Sequence, residues 1–138
     1  MKFIAIILLV FGLGKFSIAQ NSSGGELKCA YDSASVYTFV DKSPEFPEGE
    51  DSLRRFLAQH SKYPKVEHDN DVEGRVVLKL VITENGEVCD VIVWKGASYG
   101  FVQEAVRVAK LLPGFTPGYV KGKPVAVYYN LPITFKLN

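Results

Sequence analysis

Between Pro124 and Leu137 apolar residues recur at every second position. Val125, Val127, Tyr129, Leu131, Ile133, Phe135 and Leu137 fall on one face, with Ala126, Tyr128, Asn130, Thr134 and Lys136 on the other. A period of two is that of a β-strand with one buried face. Pro132 interrupts the polar face; it has no amide hydrogen for a ladder, which places the strand at a sheet edge. An uncovered edge of this length is a surface to which an extended peptide can add itself as a further strand.

The same period marks Arg75 to Ile82, where Val76, Leu78, Leu80 and Ile82 oppose Arg75, Val77, Lys79 and Val81. Asn85-Gly86 tolerates the positive φ angles of a tight hairpin, so Val88 to Lys95 returns antiparallel. A phase slip between Val88 and the Val91, Val93 pair predicts a bulge. Helical spacing appears twice, at Leu53, Phe56, Leu57 and at Phe101, Ala105, Val108, Ala109, Leu112. Glu50 and Asp51 suit the first helix's N-terminus, and Pro64 forces it to stop before Tyr63; Pro113-Gly114 ends the second. Val36 to Val40 reads as a small strand, and Val120 to Pro124 as a basic, glycine-containing turn. The order helix, strand, strand, helix, strand predicts an α+β two-layer sandwich, a three-stranded antiparallel sheet with two helices on one face. Such a sheet keeps two open edges unless dimerisation or the Val36 strand covers one.

The N-terminus changes this picture. Lys2 precedes an apolar run from Phe3 to Leu13, followed by Ser17-Ile18-Ala19, the small residues of a signal-peptidase site. Residues 1–19 are therefore expected to be a cleaved secretory signal, 20–42 a leader and 43–138 the domain. The run is short of the roughly 20 apolar residues of a bilayer-crossing helix, and no cysteine directly follows it to carry a lipid. Cleavage removes Lys2 and Lys15 from 16 Lys and Arg, leaving a net charge near −1 against 15 Asp and Glu. Nothing in that balance draws nucleic acid or acidic lipid.

Candidate chemistry is sparse. Export would place Cys29 and Cys89 in an oxidising compartment, where they either form a disulfide or stand as a loop thiol and a small buried hydrophobe. With His60 and His68 they show no metal-ligand spacing, and no cofactor motif is present. Gly96-Ala97-Ser98-Tyr99-Gly100 matches G-x-S-x-G between a strand and a helix. In that hydrolase arrangement the acid and histidine follow the serine, yet no Asp or His occurs after Ser98 and Glu104 is the sole later carboxylate side chain. A serine without a base is an ordinary alcohol, so Ser98 is read as a helix cap or loop residue and the chain as non-enzymatic.

From Ser43 to Leu137 the sequence resembles the C-terminal domain of TonB, in the form common in Bacteroidetes-type bacteria. The resemblance is carried by Pro44-Glu45-Phe46-Pro47-Glu48-Gly49, Tyr63-Pro64, Glu73-Gly74, Asn85-Gly86-Glu87-Val88, Pro113-Gly114-Phe115-Thr116-Pro117-Gly118 and Leu131-Pro132-Ile133-Thr134-Phe135, in that order and spacing. One departure is Glu48, where related sequences carry a second glycine. The resemblance implies a periplasmic module that takes up the extended peptide of a TonB-dependent outer-membrane receptor beside its last strand. It also implies receptor contact by the segment around Tyr63-Pro64, here His60, Lys62, Tyr63 and Pro64. A helix stop with a packed aromatic is the alternative for Tyr63-Pro64.

Residues sharing the side of Pro132, namely Ala126, Tyr128, Asn130 and Thr134, are the expected peptide-binding backbones. A full transducer adds a membrane helix and a long proline-rich spacer. Here only Asn21 to Lys42 separate the signal from the domain, and fully extended they reach roughly 75 Å. The expectation is thus a periplasmic partner of receptors that does not pull on them by itself; cooperation with a separate inner-membrane motor stays open. Two alternatives stay open: a minimal transducer tethered by an uncleaved N-terminus, and a homodimer sealed by edge self-pairing.

Overall fold

The computed structural model describes residues 30–138. The signal expected at 1–19 and the first part of the leader expected at 20–42, residues 20–29 with Cys29, lie outside the described residues. Two helices and three long strands appear where hydrophobic spacing placed them: α1 (Glu50–His60), β1 (Gly74–Ile82), β2 (Val88–Lys95), α3 (Tyr99–Ala109) and β5 (Val127–Phe135). Between them the chain adds a short helix α2 (Lys65–Asp69) and a small hairpin, β3 (Gly118–Val120) with β4 (Lys123–Val125).

The main sheet is antiparallel in the order β2-β1-β5, so β1 is central and β5 forms an edge. Register runs from Gly74 opposite Phe135 to Ile82 opposite Val127 without a break. Directly opposed residues share a face, and this register therefore aligns Val76, Leu78, Leu80 and Ile82 with Ile133, Leu131, Tyr129 and Val127. Those side chains join Phe101, Ala105 and Ala109 of α3 and Leu53 of α1 in one core. Each fully buried Leu or Ile contributes roughly 1.5–3 kcal/mol.

The β1–β2 pairing shifts between Val81 opposite Asp90 and Ile82 opposite Val88, which is the expected bulge, and again near Lys95 opposite Val77. The first shift turns Cys89 away from the helix side into a second cluster with Val36 and Val81, packed by Tyr31, Ile92, Ala126 and Tyr128. Residues 31–36 thus cover one end of the sheet's other face.

Three expectations need amendment. The final strand is not continuous from Pro124; the chain breaks at Ala126, and Lys123–Val125 pairs with Gly118–Val120 instead. The expected basic turn is the tip of that hairpin, with Lys121 and Gly122 both at positive φ. The Val36 to Val40 strand reduces to a single parallel bridge between Tyr37 and Val127, because the chain then leaves the sheet to pair Lys42 with Tyr119. At the α1 entrance Glu48 itself adopts φ +67° ahead of Gly49 at +96°, so the turn survives the missing glycine with a side chain in the left-handed region.

Gly86 closes the β1–β2 hairpin at φ +85°, and its carbonyl accepts from the Phe115 amide at 2.7 Å. A Cβ there would overlap the Phe115 carbonyl oxygen. Gly122 has φ +78° with nothing within 4 Å of the corresponding position. Replacing Gly122 by Ala should therefore cost only the backbone strain, about 1–2 kcal/mol, and Gly86→Ala should cost clearly more. Urea unfolding of both variants measures the difference, and equal losses would show that the hairpin tip does not depend on its contact with Phe115.

Candidate functional site

β5 is bonded to β1 on one side only. On its other side Tyr37 donates its amide to the Ala126 carbonyl at 2.9 Å, and Tyr128 donates its amide to the Tyr37 carbonyl at 3.0 Å. Backbone groups of alternate residues point the same way in a strand, so Asn130, Pro132 and Thr134 also direct theirs outward. Pro132 lies opposite Val77, at a pair that exchanges no ladder bond, which is why its missing amide hydrogen leaves the sheet intact.

Beyond Tyr128 the edge borders a groove of about 910 Å³. One wall is Val127 to Thr134. The facing wall is a single helical stripe of α1, Glu50, Leu53, Arg54, Leu57 and Ala58, continued by Ser61; these positions recur at three and four residues, as one helix face must. The segment 38–44 closes one end, where Phe39 is 87% exposed. Burial raises the Tyr129 hydroxyl above its usual pKa, with Glu50 adding to the shift.

Of the sequence-derived peptide-binding residues, Tyr128, Asn130 and Thr134 line this groove and Ala126 does not. The outward bonding capacity of Ala126 and Tyr128 is already partly engaged by Tyr37. His60, Lys62, Tyr63 and Pro64 follow the Ser61 end without lining it. His60 stacks on Phe56 with centroids 4.0 Å apart. The Lys62 amide donates to Glu104 Oε2 at 2.6 Å, and Arg107, paired with Glu104 at 2.7 Å, donates to the His60 carbonyl at 2.7 Å. Arg107 first, then the Lys62 amide, hold the Glu104 carboxyl below its usual range against the opposing effect of burial. Tyr63 packs edge-on against Phe101 and Phe135 at 5.5 and 6.0 Å and donates its hydroxyl to the Val72 carbonyl. The 60–64 segment is thereby fastened to α3. Cys89 is buried and disulfide-bonded.

Ser98 stands at the N-cap of α3, yet its hydroxyl donates to Glu67 Oε2 at 2.6 Å, and Gly100 donates its amide to the same oxygen at 3.1 Å. Ser98 above all keeps the Glu67 carboxyl below its ordinary 4.5, with burial opposing. A carboxylate so stabilised is a poor base; the pair serves as a cap supplied from α2.

The α1 stripe and the segment 38–44 were not among the sequence-derived site residues. The signal for the first was present, since Glu50, Leu53, Arg54, Leu57 and Ala58 share a helix face; the second depends on contacts with residues some 75–90 positions away in sequence, from Tyr119 to Val127.

Fold and groove together define an α+β domain that offers one strand edge beside a helix wall. Residues 59–137 match the family described as Gram-negative bacterial TonB protein C-terminal, and the chain belongs to that family. Its members are envelope-associated, non-enzymatic interaction domains that engage outer-membrane receptors, which places this chain in TonB-type transport. No curated protein matches it. The segment 38–44 and nearly all of α1 precede the matched residues.

The lowered Glu67 value fixes a pH dependence. Its bonds add stability above the carboxyl's ordinary 4.5, and that contribution disappears as pH falls through the lower folded-state value. Thermal midpoints measured from about pH 6 to pH 3 should fall more steeply in the wild type than in Glu67→Gln. Parallel curves would remove Glu67 as a source of acid sensitivity.

Proposed function

We propose that this protein is an exported binding module that captures an extended receptor peptide by strand addition along β5. The observation that supports the reading is the bare edge from Asn130 to Thr134, opening onto a groove whose helix wall sets Leu53, Leu57 and Ala58 beside Glu50 and Arg54. In this arrangement the amides of Asn130 and Thr134 donate to the guest, and the carbonyls of Tyr128, Asn130, Pro132 and Thr134 accept from it. Five residues at about 3.3 Å each give roughly 17 Å of pairing length. Guest side chains on one face meet Leu57 and Ala58; those on the other stand beside Asn130, Pro132 and Thr134. Tyr37 ends the available edge and so limits how far a guest pairs. His60, Lys62, Tyr63 and Pro64, braced by Glu104 and Arg107, provide a second receptor contact past the groove's end.

In the same reading residues 1–19 are removed on export to the periplasm, a separate inner-membrane motor supplies any pulling force, and Cys29 is the partner of Cys89. Intact mass of the protein purified from cells tests both covalent points. A chain beginning at Gln20 that gains about two hydrogen masses on reduction is expected; retention of Met1 to Ala19 would favour the tethered transducer.

Strand addition is tested with a peptide copied from the periplasmic segment of a TonB-dependent receptor. Amide exchange should slow at Asn130 and Thr134 on binding, with little change at Tyr128, whose amide is already bonded. Asn130→Pro removes an outward donor without breaking a β1 bond and should reduce affinity at least tenfold at an unchanged folded spectrum. Wild-type affinity in this variant, or protection that follows a concentration-dependent dimer and not the peptide, would refute the reading.

A further inference from the structure

The sheet face away from the core carries an excess of unpaired positive charge. Register places Arg75 opposite Thr134, Lys79 opposite Asn130 and Lys95 opposite Val77, on the part of this face beyond the end that residues 31–36 cover, and the alternation of β5 carried one residue further assigns Lys136 to the same face. Among the described residues none of these four has a carboxylate within ion-pair distance, whereas Arg54, Lys65 and Arg107 each have one. Two carboxylates lie nearby: Asp90 accepts from the Tyr31 hydroxyl at 2.7 Å, and Glu73 accepts from the Leu137 amide at 2.8 Å; these neutral donors do not cancel their charge, and the four cations outnumber them. Lys79 is held in place with its ammonium 3.7 Å from the Trp94 ring centroid and 5.2 Å from that of Tyr128, leaving Trp94 57% exposed. This charged face is continuous with the groove, because Asn130, Pro132 and Thr134 belong to both.

We propose that the Arg75, Lys79 and Lys136 face selects guest strands carrying carboxylates at alternate positions, with apolar residues between them directed at α1. The proposal rests on strand addition along β5 and names the chemistry of the strand. A guest beside β5 puts every second side chain on the face of Thr134 and Asn130. From there Arg75 on β1 is two strand spacings away, about 10 Å, a gap that an extended Glu and an extended Arg bridge together, and Lys136 is nearer still. Lys79 and Lys95 add to the field without direct contact. The opposite face of the guest meets Leu53, Leu57 and Ala58, with Glu50 and Arg54 on the same helix stripe, so a guest charge directed at the three apolar side chains would lose solvation without a partner there.

The test uses nine-residue capped peptides alternating Val with Glu, Ser or Lys, with binding followed by anisotropy on the full mature protein. Exposed ion pairs are individually weak, so the Val–Glu peptide should bind roughly five- to tenfold tighter than Val–Ser at low ionic strength, with the gap closing in about 0.5 M salt. The double variant Arg75→Glu, Lys136→Glu should reverse the order in favour of Val–Lys, a reversal that misfolding cannot produce. Equal binding of Val–Glu and Val–Ser, both lost in Asn130→Pro, would overturn the charge selection and leave strand addition standing. Binding of none of the three peptides, nor of the receptor peptide, would sink both. Capture of phosphatidylglycerol vesicles that is lost in the double variant, with no preference for Val–Glu, would reassign the face to an anionic lipid surface and overturn the proposal.

Discussion

Everything in this domain follows from the parity of one strand. The odd-numbered residues of β5 give their backbone bonds to β1 and their side chains to the core shared with α3. The even-numbered residues are left with both facing elsewhere. Because the side-chain and hydrogen-bond periods are both two, these assignments cannot be changed separately. A one-residue slip would bury Asn130 and Thr134, expose Leu131 and Ile133, and turn the nitrogen of Pro132 toward β1, where a donor is required. Pro132 thus locks the register in which its own side stays open.

An open edge is a hazard, since any strand with unpaired groups can add to it. The chain limits the exposure at one end and along one side. Tyr37 takes the first outward positions of β5 by a single bridge and then diverges, so it acts as a stop, not as a fourth strand. The α1 stripe faces the remainder across the groove. That α1 is itself fixed at its far end by the Glu104–Arg107 pair on α3, through the His60 carbonyl and the Lys62 amide, ties the groove wall to the same core that supports the edge.

What the sequence revealed was whatever is encoded locally. The β1 and β5 alternations, the Asn85-Gly86 turn, the slip that becomes the bulge at Cys89 and the two long helices all depend on residues within a few positions of one another. The β3–β4 hairpin escaped because its strands have three residues each and its turn places Lys121, not Asn or Gly, at φ +53°. Helix α2 escaped for similar reasons: five residues starting after Pro64 show too little of a stripe, and its one buried side chain is Glu67, whose role as a cap depends on a helix 31 positions later. As for the site, Asn130 and Thr134 were legible from parity with Pro132. That Tyr37 would engage Ala126 and Tyr128 was not, because nothing local to Tyr37 records a partner 90 positions away.

The energetics show why the walls matter as much as the edge. A main-chain hydrogen bond exchanged with water adds about 0.5–1.5 kcal/mol net, and the short stretch from Tyr128 to Thr134 offers only a few such bonds. Association alone costs on the order of 4–15 kcal/mol in lost freedom. Backbone pairing therefore sets orientation and register but at most offsets that cost, which leaves net affinity to the side chains. On the α1 side the gain is chiefly burial of apolar area against Leu57 and Ala58, beside Glu50 and Arg54. The other side offers polar backbone, Pro132 and positive charge, and it is there that the proposed discrimination between guests of similar apolar area arises. Both surfaces are read by a single strand because β5's alternation places them on its two faces, and the same parity that closes the core arranges the two tests a guest has to pass.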